Sequence, residues 1–184
     1  MCDKLTQKDA DEYARRAGIT RRQFGHIAGI AGLAAMLPEV ANAQAVTETD
    51  VEITTPDGTC DAYWVHPSSG QHPAVLVWPD ILALRPAFRV MGKRLAESGY
   101  SVLTVNPFYR DARSPVVEEG ASFADDETRA IVLPMAQNLN ATTHFTDART
   151  FVSFIDQQAA TDTSRGIGTT GYCMGGPMVM RTVA

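Results

Sequence analysis

A glycine-flanked cysteine in the stretch Gly171–Gly175, G-Y-C-M-G, constrains the fold more than any other feature of the sequence. Residues 166–170 before it are predicted to form a short strand, and residues 177–184 after it are predicted to begin a helix. A strand, a G-x-nucleophile-x-G turn and a helix in this order are typical of a nucleophile elbow, which projects one side chain above a sheet. The flanking glycines are needed because side chains there would clash with the neighbouring strand and helix. The sequence therefore predicts an α/β fold with Cys173 at the carboxyl end of a strand.

Cys173 is the residue of this motif that can act as a nucleophile. At the start of a helix the dipole stabilises a thiolate, which is the reactive form of cysteine. The main-chain N–H of Met174 would then point at an oxyanion that develops on a substrate carbonyl. The other interpretation of the pattern is a buried structural cysteine in a glycine-rich turn. The strand before the motif and the helix after it favour the catalytic interpretation.

The rest of the chain alternates predicted strands and helices. Asp57-Gly58, a strong tight-turn signal, joins two alternating runs and predicts an N-terminal β-hairpin. The continuous apolar run 74–78 suits a strand that is covered on both faces. A predicted helix, 86–98, and a second buried strand, 100–105, complete a βαβ unit, which favours a mostly parallel sheet flanked by helices. Two more helices are predicted over 126–138 and 140–159, the second burying the stripe Phe145, Ala148, Val152, Ile155 and Ala159.

The first 45 residues have the order of an export signal. Arg21-Arg22 and Phe24 precede an apolar run, 27–37, and small residues follow near Ala43 and Ala45. The run has 11 residues, too few for a helix to span a bilayer. Because the arginine pair resembles a twin-arginine signal, we expect export by the twin-arginine machinery, cleavage after Ala43 or Ala45, and a periplasmic or secreted mature protein. The alternative is a soluble amphipathic helix with a chance arginine pair.

Composition excludes several other classes of function. The chain has 184 residues, of which 45% are hydrophobic and 20% charged, and its formal net charge is −5. That composition is ordinary for a soluble globular protein. The acidic net charge argues against a nucleic-acid binder, which would need a basic stripe to neutralise phosphates. The sequence contains no metal-ligand spacing, P-loop or dinucleotide-binding glycine motif, so neither a metal nor a cofactor is expected.

Four short stretches together resemble the dienelactone hydrolase family of α/β-hydrolases. They are the elbow Gly171–Gly176, the segment Pro79–Arg85 after the first buried strand, Gly99-Tyr100, and Asn106–Arg110. The resemblance runs from about Val51 to the chain end. It implies a mostly parallel sheet flanked by helices, and hydrolysis of a small-molecule enol lactone or related ester through a Cys-His-Asp triad. Ala83 departs mildly from the pattern, since the family often has glycine there.

Carried over to this sequence, the resemblance implies roles for five residues. Cys173 is the nucleophile, and the main-chain amides of Ile81 and Met174 form the oxyanion hole. Asp80 stands where the family has an acidic residue, commonly Glu, that interacts with the resting thiol and takes part in its activation. Its other interpretation is a loop carboxylate that caps a nearby turn. Arg129 lies roughly where relatives that act on dienelactone bind the substrate carboxylate, or else it belongs to a solvated helix face.

The sequence lacks the expected base. In α/β-hydrolases the acid and then the histidine follow the nucleophile along the chain. Eleven residues follow Cys173, and none of them is histidine. The histidines present are predicted to be solvated or capping side chains: His26, His66, His72 and His144. We therefore expect residues 46–184 to be the N-terminal part of a longer α/β-hydrolase domain whose triad Asp and His are absent from this chain.

Three alternatives stay open on the sequence alone. One is another cysteine-elbow enzyme, amidotransferase-like or DJ-1-like, although the Pro79–Ile81 stretch favours the dienelactone type. A second is a truncated or degenerate fold that acts only as a binding or structural module, which the missing histidine supports. A third is a disulfide between Cys60 and Cys173, the two cysteines that remain after cleavage. Such a bridge would require their Cα atoms to approach within about 7 Å.

Overall fold

The computed structural model describes residues 40–41 and 43–184, and the predicted twin-arginine motif and apolar run lie outside the described residues. Five strands form one sheet: β1 Val46–Thr55, β2 Gly58–Pro67, β3 Ala74–Trp78, β4 Ser101–Val105 and β5 Gly168–Gly171. The helices of the described part are α1 Pro86–Glu97, α2 Asp126–Asn138, α3 Ala141–Asp156 and α4 Gly175–Thr182. None of these described helices is both long and apolar enough to cross a membrane.

The sheet has the strand order β1-β2-β4-β3-β5. β1 and β2 form the predicted hairpin, in which Thr55 pairs with Gly58 across the turn. β2 is antiparallel to β4, whereas β4, β3 and β5 are parallel. The predicted α/β fold with an N-terminal hairpin is confirmed. Within the described residues the sheet is mixed rather than mostly parallel, because the hairpin adds two antiparallel pairings to the two parallel ones.

Strand side chains alternate between two hydrophobic layers, as the two-residue period of a strand requires. α1 covers one face of the sheet, where Phe88 packs with Val77 of β3. α3 and α4 cover the other face, where Phe151 and Met178 pack with Leu76 of β3. Burial on both faces explains why β3 is a continuous apolar run, and why every residue of β4 is buried, the polar Ser101 and Thr104 included.

α3 buries a different stripe from the one that hydrophobicity alone predicts. Asn140 begins the helix with a capping box. Phe145, predicted to be buried, is exposed, and Val152 is only half-buried. The polar residues His144 and Asp147 occupy buried positions instead, because each contacts an arginine from another part of the fold. The buried residues of α3 are His144, Asp147, Ala148, Phe151 and Ile155.

Asp147 anchors a buried ionic cluster. Its carboxylate accepts hydrogen bonds from the Arg110 guanidinium at 2.9 and 2.6 Å and from the Tyr109 hydroxyl at 2.8 Å. Arg110 also donates to Asp57 in the hairpin turn, and the Tyr109 hydroxyl lies 2.9 Å from Thr55 Oγ1. Burial raises the pKa of the Tyr109 hydroxyl, so this group remains a donor. The cluster fixes the hairpin turn and the segment after β4 against α3.

His144 is buried, and the predicted solvated or capping role is wrong for this residue. Its Nδ1 lies 2.5 Å from Nη1 of Arg181 on α4, and its Nε2 has no hydrogen-bond partner among the described residues. Burial first, and then the positive charges of Arg181 and Arg110, lower the pKa of the imidazole, while Asp147 acts in the opposite direction. The ring is therefore neutral and accepts a hydrogen bond from Arg181.

The burial of His144, together with the neighbouring positive charges, predicts a loss of stability in mild acid. Because folding lowers the pKa of His144 below 6.5, the unfolded chain binds the proton more readily than the folded one. The free energy of unfolding should therefore fall as the pH drops below 6.5 toward the folded-state pKa, and His144→Leu should remove this part of the loss. Urea unfolding at about pH 7.5 and about pH 5.5 measures the effect. His72→Gln is the control and should keep it; an equal loss in the parent and in His144→Leu would contradict the prediction.

The loops after β3 and β5 meet at one edge of the sheet. The chain leaves β3 toward α1 on one face and leaves β5 toward α4 on the other. In open α/β sheets, such a reversal opens a crevice outside the carboxyl ends of the parallel strands, and ligands bind there. The fold thus brings the segment 79–85 and the elbow 172–174 to the same crevice.

Candidate active site

The elbow has the backbone geometry that the sequence predicts. Cys173 lies between β5 and α4 with φ at 51°, in the left-handed region, and its side chain is exposed. This conformation costs about 1–2 kcal/mol for a residue other than glycine. A Cβ on Gly171 would lie 2.6 Å from the carbonyl oxygen of Gly175, and a Cβ on Gly175 would lie 2.3 Å from that of Trp78. Both flanking glycines are therefore required by the space available.

Main-chain hydrogen bonds tie the elbow to β3 and α4. The N–H of Tyr172 donates to the carbonyl oxygen of Trp78 at 3.2 Å, and the N–H of Gly175 donates to that of Tyr172 at 2.8 Å. The N–H of Gly176 donates to the carbonyl oxygen of Cys173 at 3.1 Å. Among the described residues, no hydrogen bond reaches Cys173 Sγ. The backbone thus fixes the position of the thiol and leaves its sulfur free.

The segment after β3 forms a tight loop at the same edge. Ala83 has φ at 59°, and among the described residues only Cys173 shares a left-handed conformation without being glycine. The N–H of Leu82 donates to Asp80 Oδ1 at 3.0 Å, and the N–H of Ala83 donates to the Asp80 carbonyl oxygen at 2.9 Å. Glycine would adopt this conformation without strain, which explains why glycine suits the position that Ala83 occupies here.

Two main-chain amides are free at the crevice. Neither the N–H of Ile81 nor that of Met174 donates a hydrogen bond to a described residue. The side chains of both pack against the buried cluster that contains Leu82 and Phe108. Unpaired amides held by a packed core can stabilise a negative oxygen without reorganising. The two predicted oxyanion-hole donors are therefore available, one on each of the two loops.

Asp80 is bound by an arginine and not by the thiol. Nη1 and Nη2 of Arg85 donate to Oδ1 and Oδ2 of Asp80 at 2.5 and 2.8 Å. The side chains of this pair are only 15% and 24% exposed. The predicted interaction of Asp80 with Cys173 is not formed among the described residues, whereas the alternative turn-capping contact is present at Leu82. Sequence reasoning missed Arg85, whose signal is its place directly before Pro86 at the start of α1.

Arg129 lies on α2 and uses its guanidinium locally. It donates to the carbonyl oxygens of Phe123 and Ala124 at 2.9 and 2.5 Å, and it pairs with Asp126. These contacts close the turn that leads into α2. Binding of a substrate carboxylate by Arg129 stays a prediction, and the local contacts favour the alternative of a helix-face residue.

The three described histidines are not bonded to the thiol. His72 precedes β3 and contacts the Ser69 carbonyl oxygen at 2.8 Å, while His66 near the end of β2 contacts that of Pro67 at the same distance. The parallel and antiparallel pairings put both at the edge of the sheet opposite the elbow. His144 contacts Arg181 instead.

Cys60 and Cys173 are both free thiols. Cys60 is buried in the core beside β4, and its Sγ contacts the Asn106 carbonyl oxygen at 3.5 Å. Burial raises the pKa of the Cys60 thiol, so this cysteine has the properties of an inert structural residue. The disulfide alternative is therefore wrong, and Cys173 is the exposed thiol of the described pair.

The sheet order, the elbow and the facing loop together define a protein with the α/β-hydrolase fold. A dienelactone hydrolase-like promiscuous phosphotriesterase from metagenomic libraries superposes with a TM-score of 0.59 at 20% identity, over 75% of this chain and 54% of that one. An α/β-hydrolase from a Penicillium species superposes with a TM-score of 0.53 at 20% identity, over 74% of this chain and 41% of that one. The sequence model of the Dienelactone hydrolase family matches residues 60–184. The chain belongs to the dienelactone hydrolase family.

The family match sets aside the amidotransferase-like and DJ-1-like alternatives. No curated protein matches the sequence. The chain spans about half the length of the first solved relatives that it resembles, between 51% and 54%. What the complete protein does is therefore a matter for proposal.

Proposed function

We propose that this chain carries the nucleophile of a cysteine hydrolase that cleaves a small-molecule ester or enol lactone. The observation that carries the proposal is the elbow, in which an exposed cysteine, Cys173, is held in a left-handed conformation at the carboxyl edge of the sheet. The unpaired amides of Ile81 and Met174 support it, and so does membership of the dienelactone hydrolase family.

The proposed step is acyl transfer to sulfur. The Cys173 thiolate attacks the carbonyl carbon, and the two free amides stabilise the charge that develops on the carbonyl oxygen. The tetrahedral intermediate expels the leaving oxygen, which takes up a proton, and a thioester remains on the enzyme. Water then cleaves the thioester and restores the thiol. A lactone opens by the same bond changes, with the leaving oxygen on the same molecule as the acyl group.

We propose that residues beyond Ala184 in the complete enzyme supply the triad acid and histidine. Two observations support this: the chain spans about half of its solved relatives, and in α/β-hydrolases both residues follow the nucleophile. A thiol without a general base is a poor catalyst of acyl transfer. The 184-residue chain should therefore accept an acyl group slowly and fail to release it repeatedly.

Ester turnover tests this proposal. A chain extended along the coding sequence past residue 184 should hydrolyse a p-nitrophenyl ester through many turnovers. The 184-residue chain should release no more than about one equivalent of p-nitrophenol per molecule. Repeated turnover by the 184-residue chain, together with a stop codon after Ala184, would contradict the assignment of the base to a later segment.

A second candidate function is a non-catalytic binding or structural module. One observation favours it: within residues 40–41 and 43–184, no histidine forms a hydrogen bond with Cys173. This candidate predicts that neither the 184-residue chain nor the extended chain hydrolyses esters. The turnover assay therefore separates the two functions.

We propose that the first 45 residues direct export through the twin-arginine machinery. The support is Arg21-Arg22 before a short apolar run, and the exposure of Ala43 and Ala45 directly before β1. Replacing both arginines with lysine should leave the protein uncleaved in the cytoplasm. N-terminal sequencing of the exported parent should begin at Gln44 or Val46. Export of the lysine variant at the parental level would contradict the proposal.

A further inference from the structure

We propose that Arg85 is a positioning residue of this site. Its two hydrogen bonds to Asp80 hold the loop that presents the Ile81 amide to the substrate oxyanion. In this chain Asp80 then holds the oxyanion-hole loop in position and does not accept the proton of the Cys173 thiol. This inference rests on the proposed function, because it concerns the oxyanion hole of the same acyl transfer.

The loop closes around Asp80 from three directions. The N–H of Leu82 binds Oδ1 at 3.0 Å, and the N–H of Ala83 binds the Asp80 carbonyl oxygen at 2.9 Å. Arg85 binds both carboxylate oxygens at 2.5 and 2.8 Å. Ile81 lies inside this loop, and its own N–H is left without a partner among the described residues. The contacts of Asp80 thus determine where the Ile81 amide points.

The loop is strained and needs a strong restraint. The left-handed φ of Ala83, 59°, costs about 1–2 kcal/mol relative to an ordinary conformation. A bidentate arginine–carboxylate pair is the geometry that best offsets the desolvation of two partly buried charges. With Arg85 and Asp80 only 15% and 24% exposed, their pair is the restraint that keeps the loop from relaxing.

Arg85 also connects this loop to the elbow. Its guanidinium carbon lies 4.9 Å from the centre of the Phe88 ring, and that centre lies 5.6 Å from the ring of Tyr172. The two backbones are in direct contact as well, since a Cβ on Gly175 would meet the carbonyl oxygens of Trp78 and Pro79. A shift of the loop therefore changes the distance between the two oxyanion-hole amides.

The same contacts argue against proton transfer from the thiol to Asp80. Arg85 occupies both carboxylate oxygens, and no hydrogen bond joins Asp80 to Cys173 Sγ among the described residues. Accepting the proton of the thiol would remove the negative charge that strengthens the hydrogen bonds from Arg85.

Two reagents separate oxyanion stabilisation from the reactivity of the thiol. Iodoacetamide alkylates the thiolate by displacing iodide and forms no oxyanion, so its rate reports the amount and accessibility of the thiolate. p-Nitrophenyl acetate acylates the same sulfur through a tetrahedral oxyanion and releases p-nitrophenolate, while the thiol proton goes to solvent. The ratio of acylation to alkylation rates at Cys173 therefore measures the oxyanion hole, and it requires no turnover.

Arg85→Gln should lower this ratio about tenfold or more, with the alkylation rate kept within about twofold of the parent. Arg85→Lys keeps the charge facing Asp80, so its acylation-to-alkylation ratio should lie between that of Arg85→Gln and that of the parent. Arg89→Gln is the matched control, because Arg89 also has an acidic partner and an aromatic ring, Asp50 and Tyr63, but both belong to the hairpin. Thermal unfolding by circular dichroism establishes that each variant is folded.

Asp80→Asn distinguishes a positioning role of Asp80 from a proton-accepting role. Asparagine keeps an oxygen for the Leu82 amide and loses the charge that Arg85 binds. A positioning role predicts a lower acylation-to-alkylation ratio with an unchanged pH midpoint for alkylation of Cys173. A proton-accepting role predicts a shifted midpoint. If Arg85→Gln fails to fold, Asp80→Asn and Arg85→Lys give the same comparison.

Three results would overturn the inference and leave the proposed function standing. The first is an unchanged acylation-to-alkylation ratio in the folded Arg85 variants. The second is an equal fall of that ratio in Arg89→Gln, and the third is a shifted pH midpoint for alkylation of Cys173 in Asp80→Asn. Peptide mass mapping of the parent after reaction with p-nitrophenyl acetate tests the proposed function separately. If no acyl group is found on Cys173, the proposed function and the inference both fail.

Discussion

The complete enzyme carrying Cys173→Ala is expected to lose ester turnover almost entirely, with kcat/KM reduced about 10⁴-fold or more, as in other enzymes that lose a covalent nucleophile. The reason is that alanine can form no thioester, while the free amides of Ile81 and Met174 can still bind the carbonyl oxygen. Steady-state hydrolysis of a p-nitrophenyl ester measures the change.

Cys60→Ala is the matched control for this substitution. Cys60 is also a free thiol, but it is buried in the core on β2, and the strands β4 and β3 separate β2 from β5, which leads into the elbow. Its truncation should cost about 1 kcal/mol of stability and leave kcat/KM within about twofold of the parent. Retention of more than about a tenth of the parental kcat/KM by Cys173→Ala would show that another residue forms the covalent intermediate.

The second large effect is expected from Gly175→Ala, which should destabilise the fold by about 3 kcal/mol, near the upper end of the usual cost of overpacking. The new Cβ would lie 2.3 Å from the Trp78 carbonyl oxygen and 2.8 Å from that of Pro79. Both are backbone atoms at the end of β3, so neither can rotate away. α4 would have to move, and the Met174 amide would move with it. Urea unfolding and the acylation rate of Cys173 measure the two consequences.

Gly176→Ala provides the control one residue later. A Cβ on Gly176 would have no neighbour within 4 Å. Because alanine is the better helix former, this variant should be neutral or more stable by up to about 1 kcal/mol, and it should react at the parental rate. Equal unfolding free energies for Gly175→Ala and Gly176→Ala would mean that the close contact between the elbow and β3 does not exist in solution.

The elbow could be predicted from sequence because local sterics determine it. Two glycines around a cysteine, between a strand and a helix, are compatible with few backbone paths, and the contacts of Gly171 and Gly175 explain both glycines. The apolar run of β3 was equally informative, since a strand covered on both faces needs such continuous hydrophobicity. The hairpin followed from the turn at Asp57-Gly58.

Polar interactions between distant segments could not be predicted in the same way. The stripe of α3 is shifted because Asp147 and His144 find partners in Arg110 and Arg181, which are far away along the chain. Hydrophobic periodicity assigns such residues to the surface, since an unpaired charge is not stable in a core. Their burial depends on a partner that only the three-dimensional fold supplies.

The role expected for Asp80 illustrates the same limit at the candidate site. The resemblance gives the place of the acidic residue, but only the fold reveals that Arg85 occupies both of its oxygens. Arg85 ends the stretch Pro79–Arg85 that carries the resemblance, but the resemblance gives it no role, and it lies five positions from its partner along the chain. The contact between Arg85 and Asp80 crosses this loop, so it can be predicted only when the conformation of the strained turn at Ala83 is known.

Cys173 is proposed to be the nucleophile of an ester-cleaving elbow. The most direct test is to quench the complete enzyme with acid during its reaction with p-nitrophenyl acetate and to locate the acetyl group by peptide mass spectrometry. We predict one acetyl group on the peptide that contains Cys173 and none on the peptide that contains Cys60. Ester turnover with an unmodified Cys173 peptide and an acetyl group on another residue would contradict the claim.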